Sequence, residues 1–305
     1  MGAPRKGEAP MTPGSVLDAE TLKRIRHLHI RMSALITELV AGEYRAAFRG
    51  SGIEFEEVRP YQIGDDARSI DWNVTARQNQ PYVKLFREER ELTVMLIVDL
   101  SASMMFGTRK QLKCDVAGEC VAALAFAANR NRDKIGLVGC SDDVDHYIPP
   151  RHSEGHVWRI IRTVLAHPPS PGNGLADALR FTAQVQRRRA AIFVISDFLC
   201  DAWDEPLALL ARRHDVTAMV VEDPAERDLH PNSSLHFFPP EGGAPSLISP
   251  WDRRTREQFA SYAQQRRRQR DGHLRRAGVE RVMLSTDRST IDALMRYFRR
   301  RERRR

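Results

Sequence analysis

The apolar run in LTVMLIVDLSASM ends in Asp99, and two hydroxyls follow it, Ser101 and Ser103, spaced two apart. A second apolar run, in FVISDF, ends in Asp197. Carboxylates and neutral hydroxyls are hard oxygen donors, and a set this poor in charge suits Mg²⁺. Such a site leaves water positions free, so a partner's carboxylate can complete the shell and the ion becomes a docking point rather than a catalyst. The alternative is structural: Ser101 or Ser103 caps the next helix, and Asp99 and Asp197 satisfy loop amides. A D-x-S-x-S string alone does not separate the two, and the second strand-end acid favours the metal.

For the two acids to meet, their strands must end on the same edge of one sheet. From residue 92 onward, apolar runs at 93–99, 134–140, 191–196, 216–221 and 279–284, rich in Val, Ile and Met, alternate with helical spacing at 112–129, 156–165, 175–186, 206–213, 253–276 and 290–300. Continuous rather than alternating apolar strands imply burial on both faces, and the β-α succession implies parallel pairing. The expected fold class is therefore α/β, a doubly wound, mainly parallel sheet. In such sheets ligands bind beyond the carboxyl ends of the strands, where the strand order reverses, and both acids lie at such ends. The segment HFFPPEGGAPSLIS before the last strand reads as a short hairpin or loop excursion.

The first ninety residues differ. Residues 1–18 read as a disordered tail, and 19–90 as an amphipathic helix, 19–41, followed by a small β-containing module that packs on the α/β domain. The α/β domain itself is expected at 91–300 and a basic tail at 301–305. Within the module, Glu54, Glu56, Glu57, Asp65, Asp66 and Asp71 are interspersed with Arg59, Arg68 and Arg77. Acid–base catalysis needs carboxyl pKa values driven apart, whereas interleaved arginines keep every acid ionised, so structural ion pairs and turns are expected.

Here the residues carry a resemblance. VDLSASM followed by VISDF resembles the metal-ion-dependent adhesion site of von Willebrand factor type A domains. The upstream string GSGIEFEEVRPYQIGDDARSIDWNVTARQNQPYVKLFREERE resembles the bacterial family catalogued as domain of unknown function number fifty-eight, whose members often accompany MoxR-type AAA+ ATPases. The resemblance implies that Ser101 and Ser103 bind the ion directly and that Asp99 and Asp197 act through water. In PGNGLADAL it places Asn173 where a threonine is usual and Gly174 where an acid is often found. An amide oxygen can ligate Mg²⁺, but its longer side chain changes the geometry. The resemblance further implies a non-enzymatic adaptor or chaperone-like partner of a MoxR-type ATPase, or of its client protein.

Other classes fit poorly. Haloacid dehalogenase-like phosphatases need a second acid two residues after the first, where Ser101 stands, and no G-x-S-x-G elbow or Walker A string occurs. His146, His152 and His156 match no zinc spacing and read as loop histidines. Four cysteines without a C-x-x-C pair suit a reducing cytoplasm, and the apolar tracts are far short of the roughly 20 residues a membrane span needs. The net charge of +8 owes much to arginine clusters at 187–189, 266–268 and the C-terminus. The second expectation is therefore a metal-independent scaffold whose arginine-rich tail binds nucleic acid or anionic lipid.

Overall fold

A computed structural model describes residues 34–48, 54–66, 70–78, 80–87, 91–109, 111–168, 170–227, 235–237, 246–248 and 252–304. The expected tail at 1–18, the first part of the expected helix and Arg68 lie outside these residues. The centre is a six-stranded sheet formed by β3 (Thr93–Asp99), β4 (Lys134–Cys140), β5 (Val144–Arg151), β6 (Ala191–Ser196), β7 (Asp215–Glu222) and β10 (Glu280–Ser285), in the order β10-β7-β6-β3-β4-β5. All neighbours are parallel except β4 and β5.

The chain starts in the middle of this sheet at β3, builds outward through β4 to β5, and then returns to the other side of β3 with β6, β7 and β10. The order therefore reverses between β3 and β6, and the crevice of a doubly wound sheet opens at their carboxyl ends. Asp99 closes β3, and Asp197 directly follows Ser196, the last residue of β6.

Apolar side chains alternate between two helical layers, as the period of two in a strand requires. Val94, Leu96 and Val98 of β3 face a core shared with α1 (Ala34–Phe48), α3 (Lys113–Arg130), α4 (Glu154–Ala166) and α8 (Thr290–Glu302). Met95 and Ile97 face a second core shared with α5 (Leu175–Val185), α6 (Asp204–Ala211) and α7 (Arg253–Arg276). The remaining elements are α2 (Trp72–Gln78), the antiparallel pair β1 (Glu54–Pro60) and β2 (Tyr82–Arg87), and the antiparallel pair β8 (Leu235–Phe237) and β9 (Ser246–Ile248). The last pair is the hairpin expected before the final strand.

Three expectations change. The first helix does not stop at residue 41 but runs through Gly42 to Phe48, because Val40, Ala41, Tyr44, Ala47 and Phe48 continue one buried stripe. Residues 144–151, in the stretch read as a histidine-bearing loop, form the antiparallel edge strand β5, in which Ile148 is the buried residue. The basic tail begins later than residue 301: α8 continues to Glu302, and the Arg301 guanidinium lies 4.4 Å from the Phe48 ring centre and pairs with Asp215.

Candidate functional site

The two strand-end acids are brought together by hydroxyls. Ser103 Oγ donates to Asp197 Oδ2 at 2.8 Å, and Ser101 Oγ and Ser103 Oγ lie 3.1 Å apart. Asp99 Oδ2 accepts from Ser196 Oγ at 2.6 Å, and the same hydroxyl accepts from Phe198 N at 2.9 Å. A network thus runs from the β3 end to the β6 end. Neither serine caps a helix through its side chain; the short 3-10 turn Ala102–Met105 starts at Ser101 without such a bond. The acids do satisfy loop amides, Ser101 N on Asp99 Oδ1 at 3.0 Å and Leu199 N on Asp197 Oδ1 at 3.0 Å.

The loop that carries Asn173 approaches through the backbone of its neighbours. Ala102 N donates to Ser170 O at 2.8 Å and Gly174 N to Ser141 O at 2.7 Å, so the loop before α5 lies against the loops after β3 and β4. A side chain at Gly172 would meet Asp142 N at 2.2 Å, and one at Gly174 would meet the Asp142 carbonyl carbon at 2.8 Å. No acid fits at 174, which explains the departure from the usual pattern. Asn173 stands exposed between the two glycines.

Two further residues complete the cluster. Lys113, the first residue of α3, is 1% exposed, and its Nζ lies 2.7 Å from Asp197 Oδ2 and 2.5 Å from Glu226 Oε1. Burial opposes the charge on Lys113, but the two carboxylates outweigh it and hold the ammonium protonated well above the ordinary lysine range. Burial likewise raises Asp197, yet the Lys113 charge and hydrogen bonds prevail and keep its carboxyl below the usual range. Burial, with the neighbouring Asp197 charge, pushes Asp99 up. Glu226 is also pushed up by burial, against the pull of Lys113.

Ser196 was within reach of sequence reasoning, as a hydroxyl closing a wholly apolar strand beside an acid. Lys113 left a weaker signal, one cation heading a helix whose next residues are largely apolar. Glu226 left none, because only the fold brings it across 113 positions.

As arranged, these residues do not fit a divalent ion. Mg²⁺ needs oxygen ligands at about 2.0–2.1 Å in near-octahedral geometry. Asp197 Oδ2 already accepts from both Ser103 Oγ and Lys113 Nζ, so its two lone pairs are taken and a permanent cation sits where an ion would have to be balanced.

The other sequence candidates are dispersed. His156 is buried with Nε2 2.8 Å from Ile135 O, His152 lies 3.2 Å from Asn129 O, and His146 pairs with His167 at 3.1 Å. In the N-terminal module the Arg59 fork grips Asp65 with two bonds of 2.8 Å, and Asp71 Oδ1 accepts from Asn73 N at the start of α2. These are structural pairs and turns. The side chains of Glu54, Glu56 and Glu57 lie outside the described residues.

The fold and site define an α/β protein with a mostly parallel six-stranded sheet and a hydroxyl–carboxylate cluster at its switch point. The chain belongs to the family described as protein of unknown function DUF58, whose model matches residues 57–269. It is 31% identical over 297 residues to the uncharacterized protein Rv1480 of Mycobacterium tuberculosis, covering 96% of this chain and 93% of that protein. The uncharacterized protein MAV169 of Mycobacterium avium is 31% identical over 154 residues, 50% of this chain and 90% of its own length. Among solved structures, BatB from Bacteroides thetaiotaomicron overlaps 70% of this chain and 99% of its own, with 14% identity and a TM-score of 0.43.

Proposed function

We propose that this protein is a non-catalytic, von Willebrand factor A-like interaction module that presents the carboxyl ends of β3 and β6 to a partner protein. The partner implied by the family resemblance is a MoxR-type AAA+ ATPase or its client. One observation carries the proposal: a polar crown at the switch point in which the buried acids are fully engaged while Ser103, Asn173 and Leu199 stand exposed around them. Such a cluster offers no free carboxylate as general base, but it holds its rim rigidly for docking. The free thiols suit a reducing cytoplasm, and among the described residues no helix is long and apolar enough to cross a membrane.

The test is affinity between the purified chain and the MoxR-type ATPase of the same organism, measured by surface plasmon resonance. Leu199→Arg and Asn173→Arg place bulk on the exposed rim without touching the side-chain network, and are expected to weaken binding at least about tenfold, about 1.4 kcal/mol, without lowering the melting temperature. Unchanged affinity in both variants removes the strand-end surface as the docking face. Docking through a magnesium ion held by Ser101, Ser103 and Asn173 would require Lys113 to release Asp197.

The arginines of α7 favour a second reading, in which nucleic acid or anionic lipid is bound electrostatically. That reading requires an affinity falling steeply with salt.

A further inference from the structure

Lys113, the buried cation of the strand-end cluster, is given no role by the docking proposal. It enters from the first turn of α3, beside the Phe106 ring, whose centre lies 5.9 Å from Nζ. Its ammonium bridges two elements that are distant in sequence, Asp197 after β6 and Glu226 after β7. Glu226 is itself fixed, because its Oε2 accepts from Asp223 N at 2.9 Å. Asp223 in turn accepts from the Thr108 and Thr286 hydroxyls, both at 2.5 Å, which ties the loops after β3 and β10 to the same frame.

The charges explain why the lysine is there. Two acids closing neighbouring strands repel each other when buried, and a buried unpaired carboxylate is strongly destabilising, so a site of this kind needs a cation. A divalent ion can supply it, and so can an ammonium held by the chain itself. Asp197 Oδ2 takes Ser103 Oγ and Lys113 Nζ together, so the oxygen that an ion would need is shared between a hydroxyl and a permanent positive charge. A dication added beside that ammonium would meet like-charge repulsion in a low-dielectric interior.

We propose that Lys113 is the built-in cation of the strand-end site, occupying the electrostatic role of a metal, so that the site is assembled and works without a divalent ion. This inference concerns the same site as the docking proposal but not its partner. The test uses the full chain alone, so either proposal can fail while the other stands.

Isothermal titration calorimetry and thermal melts are run with Mg²⁺ and Mn²⁺ and with a chelator. The wild-type chain is expected to give no saturable heat at millimolar ion and the same melting temperature in ion and in chelator. Lys113→Met, which keeps an unbranched apolar stem but removes the ammonium, is expected to melt lower in chelator. It should also gain saturable Mn²⁺ binding at least about tenfold tighter than wild type, with recovery of the melting temperature. Saturable binding of either ion to the wild-type chain, with a rise in its melting temperature, overturns the proposal. So does a folded Lys113→Met chain whose affinity for the ions matches wild type. The wild-type titration decides the matter even if the variant does not fold.

Discussion

Asp133 shows at the level of one residue how burial converts a carboxyl into a pH-dependent term. It sits in the turn after α3, accepts from Tyr44 Oη at 2.9 Å and Leu92 N at 2.8 Å, and is pushed up to about 6 by burial. Those two hydrogen bonds pull it down, the Glu91 charge raises it and His152 lowers it, while Lys134 pairs with Glu91. The folded pKa lies above the unfolded one, so the folded state binds the extra proton between the two values. The group's contribution is therefore greatest below about pH 4 and is lost as pH rises through about 6. Asp133→Asn removes the ionisation, and the Tyr44 hydroxyl can turn to accept from the new amide. The variant is expected to exceed wild type by about 2 kcal/mol at pH 7 and to match it near pH 4. Urea denaturation at the two pH values checks this, and a gap that does not change with pH refutes it. At this scale the strand-end cluster was half legible: a hydroxyl and an acid at a strand end announce themselves by interrupting an apolar run. A lysine at the head of a helix does not, because the same residue there is usually solvated, and only packing distinguishes the two.

Among the elements, the buried parallel strands were the most legible, since six of the seven residues of β3 are buried and no exposed face dilutes the apolar pattern. β5 was missed for the converse reason: it alternates, carries Pro149 and Pro150, and belongs to the sheet edge, where proline is tolerated. The end of α8 was misjudged because a run of arginines has no apolar period to read, yet Arg301 is 13% exposed and works as a packing residue. Its guanidinium covers the Phe48 ring, donates to Tyr297 Oη at 3.2 Å and pairs with Asp215, joining α8 to α1 and β7. Arg301→Ala is expected to cost about 1–3 kcal/mol, whereas loss of a surface arginine costs under about 0.5 kcal/mol. Arg303→Ala is the surface control. Equal denaturation midpoints for the two variants would show that the last turn of α8 is a loose tail after all.

For the whole molecule, the question is whether the α/β layers stand without what precedes them, as a boundary at residue 91 supposes. The switch point and its loops depend only on strand order, so the site could in principle survive on a shorter chain. The packing says otherwise. Tyr44 lies edge-on to Phe298 with ring centres 5.8 Å apart, Phe48 lies edge-on to Phe193 at 5.8 Å, and Val40, Ala41 and Ala47 fill the same core. Truncating one buried aromatic side chain to alanine costs about 3–5 kcal/mol, and a domain's total margin is about 5–15 kcal/mol. Removing α1 deletes two such aromatics with their aliphatic neighbours and uncovers Phe193, Tyr297 and Phe298. It also takes away the Tyr44 hydroxyl on Asp133 and the Arg301–Phe48 contact, so the loss matches or exceeds the whole margin. A fragment spanning residues 91–304 is therefore expected to be insoluble or to lack a cooperative melt, while one beginning at residue 34 melts cooperatively. Circular dichroism melts of the two fragments separate the cases. A 91–304 fragment that unfolds cooperatively at the temperature of the longer one would show that the core closes without α1.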